Sequence, residues 1–197
     1  IGADTIIDRI LIDTFTVSGW ITSRDEMNIN GDTIFNKADS VDLRKAVNNE
    51  TGAAYDIKSA FEAAHKLSPG IVTHTDAVQA YAHIPFSPDK LGADLVTISG
   101  HKIHAPKGIG ALYVKNGIEF ENFINGGHQE KNKRAGTENV AEIVGLGKAC
   151  EIARINLSSH VTYLSRLRNY YFNLLNRYFK NRFRINGSVQ NRLPRKC

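Results

Sequence analysis

The sequence predicts an α/β fold in which a mixed, mostly parallel sheet is flanked by helices. Short β-branched runs alternate along the chain with longer runs whose apolar residues recur at helical spacing. Proline and glycine clusters separate these runs and mark turns. Polar residues directly follow two of the predicted strands, at the edge of an α/β sheet where functional groups gather. These observations predict the fold class and the edge at which a site is expected.

Composition and length indicate one folded domain. The 197 residues are 42% hydrophobic and 23% charged, as in ordinary globular proteins, and no run approaches the roughly 18 to 20 apolar residues of a membrane helix. The opening IGADTIIDRILIDTF is interrupted by charges, which is not typical of a signal peptide. Cys150 and Cys197 are too few for a disulfide framework, so we expect reduced thiols and a cytoplasmic location.

The first predicted elements follow from periodicity and stop signals. Residues 1–45 have mixed periodicity and stay unassigned. A helix is predicted over residues 57–67, where a Ser-Pro-Gly sequence ends it. A β-branched strand follows at residues 71–74 and leads into Asp76, and a second strand is predicted over residues 94–99.

The later elements complete the α/β pattern. A third strand is predicted over residues 110–114, and its connection to the second strand is too short for a helical crossover, so the two strands should be antiparallel. Residues 139–155 have helical spacing, and a second, basic helix is expected after them, running to about Phe179.

The basic charge of the protein is concentrated at its C-terminal end. The net charge is +5, and residues 150–197 contain ten Lys and Arg but a single acid, Glu151. Such a block can bind nucleic acid. However, apolar residues recur there three and four apart, as in an amphipathic helix: Leu164, Leu167, Tyr171, Leu174 and Tyr178. We therefore favour a solvated basic face and expect no nucleic-acid partner.

Asp76 and Lys102 each directly follow a predicted strand, so parallel strands would bring them to one crevice. Pyridoxal 5'-phosphate uses both groups, because a lysine amine forms a Schiff base with it and a carboxylate keeps its ring nitrogen protonated. Taken singly, Asp76 fits a cap of the next turn and Lys102 fits a solvated surface lysine. The combination is what indicates cofactor chemistry.

Other phosphate and metal motifs do not fit the glycine-rich loop after Lys102. A P-loop places its lysine after the last glycine, whereas Lys107 precedes Gly108. A dinucleotide fingerprint requires a third glycine where Tyr113 stands. His101 and His104, with the more distant His128, lack the spacing and the carboxylate partner typical of zinc sites, so no metal is expected.

Four long motifs occur in order over residues 47–149: VNNETGA, THTDAVQAYAHIP, ADLVTISGHKIHAPKGIGALYV and GGHQEKNKRAGTENVAEIVGLGKA. Together they resemble the cysteine desulfurases of the class-V aminotransferase family, which have the pyridoxal-phosphate fold type I, and the similarity covers roughly residues 47–194. The resemblance implies an incomplete large domain of such an enzyme. It also implies L-cysteine as substrate, alanine and an enzyme-bound persulfide as products, and a sulfur-acceptor or scaffold protein as partner in iron–sulfur cluster assembly or tRNA thiolation.

The resemblance also implies roles for individual residues around the cofactor ring. Lys102 matches the Schiff-base lysine and Asp76 matches the partner of the pyridinium nitrogen. Gln79 matches a glutamine that hydrogen-bonds the phenolic oxygen of the cofactor, and Asn49 matches a nearby asparagine.

The resemblance assigns the remaining residues to binding of the cofactor phosphate. Ser99 and His101 match residues that hold it, and a hydroxyl, an imidazole and the backbone amides of a glycine turn suit an anion. Thr137 matches a threonine that reaches the phosphate of the neighbouring subunit, which implies a homodimer.

By the same resemblance, residues 46–155 form the cofactor-binding α/β domain and residues 156–197 form the basic helix and the start of a truncated small domain. The nucleophilic cysteine and the carboxylate-binding arginine of the family would lie beyond Cys197, and Cys150 fits a buried, inert thiol. We therefore expect no enzymatic turnover from this chain by itself. Two alternatives stay open: a remnant that folds or dimerises without turnover, and a lyase or aminotransferase of the same fold acting on another amino acid.

Overall fold

The computed structural model describes residues 26–29, 32–35, 40–43, 46–122 and 124–196. Its strands are β1 (Glu26–Ile29), β2 (Asp32–Phe35), β3 (Ser40–Leu43), β4 (Val72–Asp76), β5 (Leu95–Ser99) and β6 (Gly110–Val114). Its helices are α1 (Ile57–Leu67), α2 (Pro88–Leu91), α3 (Gln129–Asn132) and α4 (Val140–Phe179), with 3-10 turns at Gly100–Ile103 and Lys180–Arg182. Cys197 and most of the unassigned segment 1–45 lie outside the described residues.

Four strands form one mixed sheet in the order β3-β4-β5-β6. The pairs β3–β4 and β4–β5 are parallel. Strand β6 runs antiparallel to β5, with Ser99 opposite Gly110, as the short connection predicts. Strands β1 and β2 pair antiparallel in a separate two-stranded sheet. The predicted α/β class with a mostly parallel sheet is therefore confirmed.

Helix α1 has the bounds that the sequence predicts. The Asp56 side chain accepts a hydrogen bond from the backbone N–H of Ser59 at 3.1 Å, which caps the first turn. Four residues at helical spacing then face inward and are buried: Ile57, Ala60, Phe61 and Ala64. They pack in the main core together with Val47, Val96 and Leu193.

A buried carboxylate ties three strands together at the start of β5. Asp94 is 3% exposed, and its Oδ2 accepts hydrogen bonds from the backbone N–H and the hydroxyl of Thr73, both at 2.9 Å. Its Oδ1 accepts from Lys115 Nζ at 2.9 Å. Burial alone would raise the pKa of Asp94, but the hydrogen bonds from Thr73 and Lys115 outweigh it and hold that pKa below its ordinary value.

Helix α4 corrects the prediction of two successive helices, because residues 140–179 form one helix of 40 residues. The polar stretch between the apolar and the basic part of α4, residues 156–162, contains neither Gly nor Pro, so no backbone feature ends the helix there. Side chains in this stretch bond to carbonyls of the preceding turn: Asn156 Nδ2 to Ile152 O, and Thr162 Oγ1 to Ser158 O, both at 2.9 Å. These bonds are compatible with an uninterrupted helix.

The apolar face predicted for the basic part of α4 is also largely wrong. Leu167, Tyr171 and Tyr178 are 46%, 47% and 63% exposed, whereas Phe172 is 8% exposed. Phe172 lies beneath the guanidinium of Arg192, 5.8 Å from its ring centroid. The C-terminal segment packs against the side of α4 that carries Phe172, and this contact determines which side of the helix is buried. Within the described ranges, no helix has the length and apolarity that a membrane crossing requires.

Candidate active site

The carboxyl ends of β4 and β5 meet at one edge of the sheet. The two strands are parallel neighbours, with Asp76 opposite Thr97 in their register. Strand β4 ends at Asp76, and β5 ends at Ser99 immediately before the 3-10 turn that contains Lys102. The fold thus brings to a single edge the two segments that carry Asp76 and Lys102, as the strand-end argument predicts.

The 3-10 turn after β5 holds the Lys102 backbone in place through close packing. The N–H of Gly100 donates to Ile109 O at 2.8 Å, and the N–H of Ala105 donates to Gly100 O at 3.0 Å. A Cβ at position 100 would stand 2.8 Å from the same Ile109 oxygen, so only glycine fits there. This tight approach explains the Ser-Gly-His-Lys sequence, because the glycine lets the turn close directly against the loop before β6.

The Lys102 side chain is half-buried and lines a cavity of about 430 Å³. Among the described residues, its amine has neither a hydrogen bond nor an ion pair. Two other lysines are paired with acids: Lys115 binds Asp94 at 2.9 Å, and Lys148 binds Glu151 at 2.8 Å. A lysine amine at a cavity wall without an acidic partner is available for chemistry.

Asp76 serves locally as a cap of the turn that follows β4. Its Oδ1 accepts a hydrogen bond from the backbone N–H of Val78 at 2.8 Å. The interpretation of Asp76 as a cap of the turn that follows β4 is therefore correct. The hydrogen bond from Val78 orients the carboxylate at the end of β4.

Gln79 contacts a residue that the sequence analysis did not single out. Arg195 Nη2 donates to Gln79 Oε1 at 3.2 Å, although the two residues are 116 positions apart. The contact arises because the C-terminal segment folds back on the loop before α1: the N–H of Ala54 donates to Asn191 O at 2.9 Å, and that of Leu193 donates to Gly52 O at 2.8 Å. No local sequence signal indicates this docking.

Ser99 and His101 are held together at the end of β5. Ser99 is 3% exposed, and its Oγ lies 2.7 Å from Nδ1 of the exposed His101. Asn49 lies in a turn, where its Nδ2 donates to Glu50 Oε1 at 2.6 Å. Thr137 is exposed in the loop before α4. None of these four residues is among those that line the Lys102 cavity, and their implied roles stay predictions.

The Lys102 cavity lies between the turn after β5, helix α4 and the C-terminal segment. Its ionisable lining residues are bases: Lys102, Lys148, Arg195, His83, His104 and His160. No Asp or Glu is among the described residues that line it. A cavity with this lining favours an anionic ligand.

His83 is a second cavity residue that the sequence analysis missed. Burial, followed by the charge of Arg195 and then by those of His104 and Lys102, lowers the pKa of His83 to about 4. The ring is therefore neutral at pH 7. Its Nδ1–H donates to the carbonyl of Tyr81 at 2.8 Å, because a carbonyl oxygen can only accept. The other ring nitrogen, Nε2, is then an acceptor.

Cys150 is a half-buried thiol on α4 that packs against the small core of Ile103, Ile109 and Leu146. Burial, together with a hydrogen bond to Cys150, raises the pKa of Tyr81 to about 12. This environment agrees with the interpretation of Cys150 as a structural thiol.

Comparisons with known proteins agree on one family. The family model described as aminotransferase class-V matches residues 24–195. The chain is 44% identical over 147 residues to the cysteine desulfurase IscS of Dictyoglomus turgidum, and 46% identical over 147 residues to cysteine desulfurase 1 of Trichormus variabilis. Each of these matches covers 75% of this chain and 36% of the relative. The chain thus spans about a third of the length of these relatives.

A solved structure of a NifS-like protein matches with a TM-score of 0.71 and 35% identity, and the match covers 79% of this chain and 41% of that chain. The resemblance read from the four motifs and the predicted fold type are therefore confirmed.

Proposed function

Because the chain belongs to the class-V aminotransferase family, whose members depend on pyridoxal phosphate, we propose that it functions in cysteine desulfuration. The proposed reaction takes sulfur from L-cysteine, leaves alanine and forms an enzyme-bound persulfide. One observation carries the proposal: Lys102, whose amine has no ion pair among the described residues, follows β5 at the sheet edge where the parallel strand β4 ends with Asp76. The similar proteins are named cysteine desulfurases, and this indicates L-cysteine as the substrate.

The residues present fit the cofactor by their chemistry. A lysine amine without an acidic partner among the described residues, a carboxylate at the neighbouring strand end, and the paired hydroxyl and imidazole of Ser99 and His101 suit an aldehyde, a pyridine nitrogen and a phosphate respectively. When bound, the cofactor supplies an electron sink for bond cleavage at the substrate.

Lys102 and Asp76 have complementary tasks in this proposal. Lys102 Nζ would hold the cofactor covalently and would serve as the group that moves protons at the substrate. The Asp76 carboxylate, oriented by the N–H of Val78, would favour the protonated form of the ring nitrogen because a nearby negative charge stabilises a cation.

Gln79 and the phosphate residues orient the cofactor. Gln79 Oε1 is occupied by Arg195, which leaves the amide NH₂ of Gln79 to donate to the phenolic oxygen. Ser99 and His101, hydrogen-bonded to each other, lie together at the end of β5 for the phosphate. The exposed Thr137 is available to a neighbouring subunit, and we include a cytoplasmic homodimer and a sulfur-acceptor or scaffold partner in the proposal.

Cofactor capture tests the proposal most directly. The full chain is incubated with pyridoxal phosphate, reduced with borohydride and mapped by peptide mass spectrometry. We expect the label on Lys102 and its loss in Lys102→Ala. The exposed Lys107, five residues away, provides the matched control, and Lys107→Ala should keep the label. A label on Lys107, or on no lysine, contradicts the proposal.

Turnover is a separate measurement. Sulfide and alanine release from L-cysteine is compared with release by free cofactor, and Cys150→Ser and Cys197→Ser are tested beside the unaltered chain. Products other than alanine and sulfide would favour the alternative lyase or aminotransferase. We expect the chain by itself to bind the cofactor at Lys102 and to release no more alanine and sulfide than free cofactor does, and release well above that level would contradict this expectation.

A further inference from the structure

One side of the basic part of α4 carries an exposed row of aromatic and basic residues. Positions that are alternately three and four apart lie one above the other on a helix. Five such positions are exposed to solvent, and we call them the aromatic–basic stripe: Tyr163, Arg166, Tyr170, Asn173 and Arg177. The side chains of the two tyrosines are 61% and 63% exposed, so their rings are open to a ligand.

The aromatic–basic stripe faces away from the rest of the described chain. Phe172, which is buried under the C-terminal segment, lies nine positions after Tyr163. Nine positions are about two and a half turns of a helix, so the two side chains point in opposite directions. The Lys102 cavity takes Val161 and Leu164 from this part of α4, and neither residue belongs to the stripe. The stripe is therefore left to solvent by both neighbours of the helix.

The charges of the stripe have no acidic partner. Residues 152–197 contain ten Lys and Arg and no Asp or Glu. Among the described residues, neither Arg166 nor Arg177 forms an ion pair. Two other arginines of this region are engaged with the fold, because Arg168 and Arg192 donate to backbone carbonyls at 3.1 Å and 2.8 Å. The stripe therefore attracts a polyanion, and it repels the same stripe on a second copy of the chain.

The exposed tyrosines favour a nucleic acid over other polyanions. Unpaired bases stack on aromatic rings, and a guanidinium both binds phosphate and stacks on a base. Beside the stripe, the guanidinium of Arg177 lies 5.6 Å from the ring centroid of Tyr178. An acidic peptide lacks a planar base, and a membrane surface requires an apolar face separate from the charged one rather than rings alternating with charges.

The exposure of α4 also removes the reason for expecting no nucleic-acid partner. A solvated basic face is favoured from the sequence because the apolar residues beside it are expected to pack on the protein. Three of these residues, Leu167, Tyr171 and Tyr178, are instead 46%, 47% and 63% exposed. The basic part of α4 thus presents rings and charges to the same solvent.

We propose that the aromatic–basic stripe binds a single strand of RNA. Tyr163 and Tyr170 stack on bases, one turn on either side of a phosphate contact. Arg166 and Arg177 bind phosphates. The exposed amide of Asn173 can donate to and accept from a ribose 2′-hydroxyl, which favours RNA over DNA. This site is separate from the sheet edge of the candidate active site, so the inference does not depend on the proposed function.

Fluorescence anisotropy with the full, cofactor-free chain tests the inference. The probe is a labelled oligouridylate of about 16 nucleotides, and the control is an abasic strand of the same length, which keeps the phosphates and lacks the bases. One lost base stack corresponds to roughly a 5- to 150-fold weaker affinity. We therefore expect the abasic strand to bind at least about 5-fold more weakly. Equal affinities overturn the inference.

Aromatic substitutions assign the base-dependent part of the affinity to the stripe. Tyr170→Leu keeps an apolar side chain but removes the ring, so it should weaken the oligouridylate by about 5-fold or more and leave the abasic strand unchanged. Phe179→Leu is the matched control, because Phe179 is 47% exposed and lies nine positions after Tyr170, on the opposite side of α4. It should change neither affinity, and equal effects of the two substitutions overturn the inference.

Arginine substitutions assign the phosphate contacts. The logarithm of the affinity should fall linearly with the logarithm of the salt concentration, and Arg166→Gln and Arg177→Gln should each make this slope shallower by about 0.7, the value for one contact with a single strand. Arg154→Gln is the control, because this exposed arginine lies nine positions before Tyr163, on the opposite side of α4. A slope that none of these substitutions changes overturns the inference.

Competing ligands separate RNA from the other possible occupants of the stripe. Polyglutamate and vesicles that contain phosphatidylserine should displace the probe less well than unlabelled oligouridylate does at equal charge. Equal displacement by either would identify an acidic protein or a lipid surface and overturn the inference. An oligodeoxyuridylate of the same length should bind roughly 2- to 10-fold more weakly, for one lost hydrogen bond. DNA that binds as tightly as RNA also overturns the inference.

Discussion

Helix α1 buries four of its eleven residues, whereas helix α4 buries two of its forty. Both helices carry apolar residues three and four positions apart. The difference lies in what packs against them. Helix α1 lies on the main core, with Phe61 fully covered, and α4 contacts the turn after β5 and the C-terminal segment. Helical periodicity thus marks a side that can be buried, and tertiary contacts decide whether it is.

The largest expected effect contrasts one phenylalanine on each helix. Phe61→Ala should lower the free energy of unfolding by about 3 to 5 kcal/mol, because it removes a fully buried ring from the core. Phe179→Ala, the same substitution at a 47% exposed position of α4, should cost less than about 1 kcal/mol. Urea unfolding measures both. Equal losses would mean that α4 buries its apolar residues as α1 does.

The second effect tests the continuity of α4. Ser159→Pro should cost about 3 kcal/mol and reduce the helical circular dichroism signal, because proline removes a backbone hydrogen bond and clashes with the preceding turn. Ser159→Ala is the matched control and should leave the helical signal intact. Two separate helices joined near residue 159 would accommodate the proline, and a small change in both variants would restore that prediction.

The elements that the sequence predicts well have their determinants close together in the chain. Helix α1 has its cap at Asp56 and its stop at Ser68-Pro69-Gly70. The antiparallel pairing of β5 and β6 follows from a short connection, and the edge shared by Asp76 and Lys102 follows from the parallel pairing of β4 and β5. The predicted break within α4 is wrong because a change from apolar to basic side chains does not end a helix unless the backbone is capped or interrupted.

The missed residues of the candidate site are determined by distant contacts. Arg195 reaches Gln79 because backbone hydrogen bonds dock residues 191–193 on the loop before α1. His83 has its low pKa because burial and the charges of Arg195, His104 and Lys102 converge on it. Neither arrangement follows from spacing along the chain. The four family motifs also give no information about Arg195, because they end before it.

A third, smaller effect compares a buried and an exposed charge. Asp94→Asn should lower the free energy of unfolding by about 2 kcal/mol, because it weakens charge-assisted hydrogen bonds from Thr73 and Lys115. The folded pKa of Asp94 is depressed, so its contribution is present above the ordinary aspartate pKa of about 3.9 and is lost as the pH falls through the lower folded value. The difference in the free energy of unfolding between the unaltered chain and Asp94→Asn should therefore shrink below about pH 4.

The matched control is Glu151→Gln on α4. Because the pair of Glu151 with Lys148 is solvent-exposed, this substitution should change stability little at any pH. A pH-independent difference for Asp94 would contradict its role as a buried anion.

The smallest expected effect compares the two helix caps. Asp56 Oδ1 accepts from the N–H of Ser59 at 3.1 Å and its Oδ2 accepts from the Ser59 hydroxyl at 2.7 Å, whereas Asn139 accepts from the N–H of Glu142 at 3.4 Å. Asp56→Ala should therefore cost about 1 kcal/mol in urea unfolding, and Asn139→Ala about half of that or less.

The hydrogen bonds from the side chain and backbone of Ser59 lower the pKa of Asp56, so the cap contributes above about pH 4 and weakens as Asp56 is protonated below it. Asp56→Asn separates the hydrogen bond from the charge, and it should resemble the unaltered chain at neutral pH and lose the acid dependence. If Asn139→Ala costs as much as Asp56→Ala, the start of α4 is as firmly coupled to the fold as that of α1, and the contrast between the helices is confined to their apolar faces.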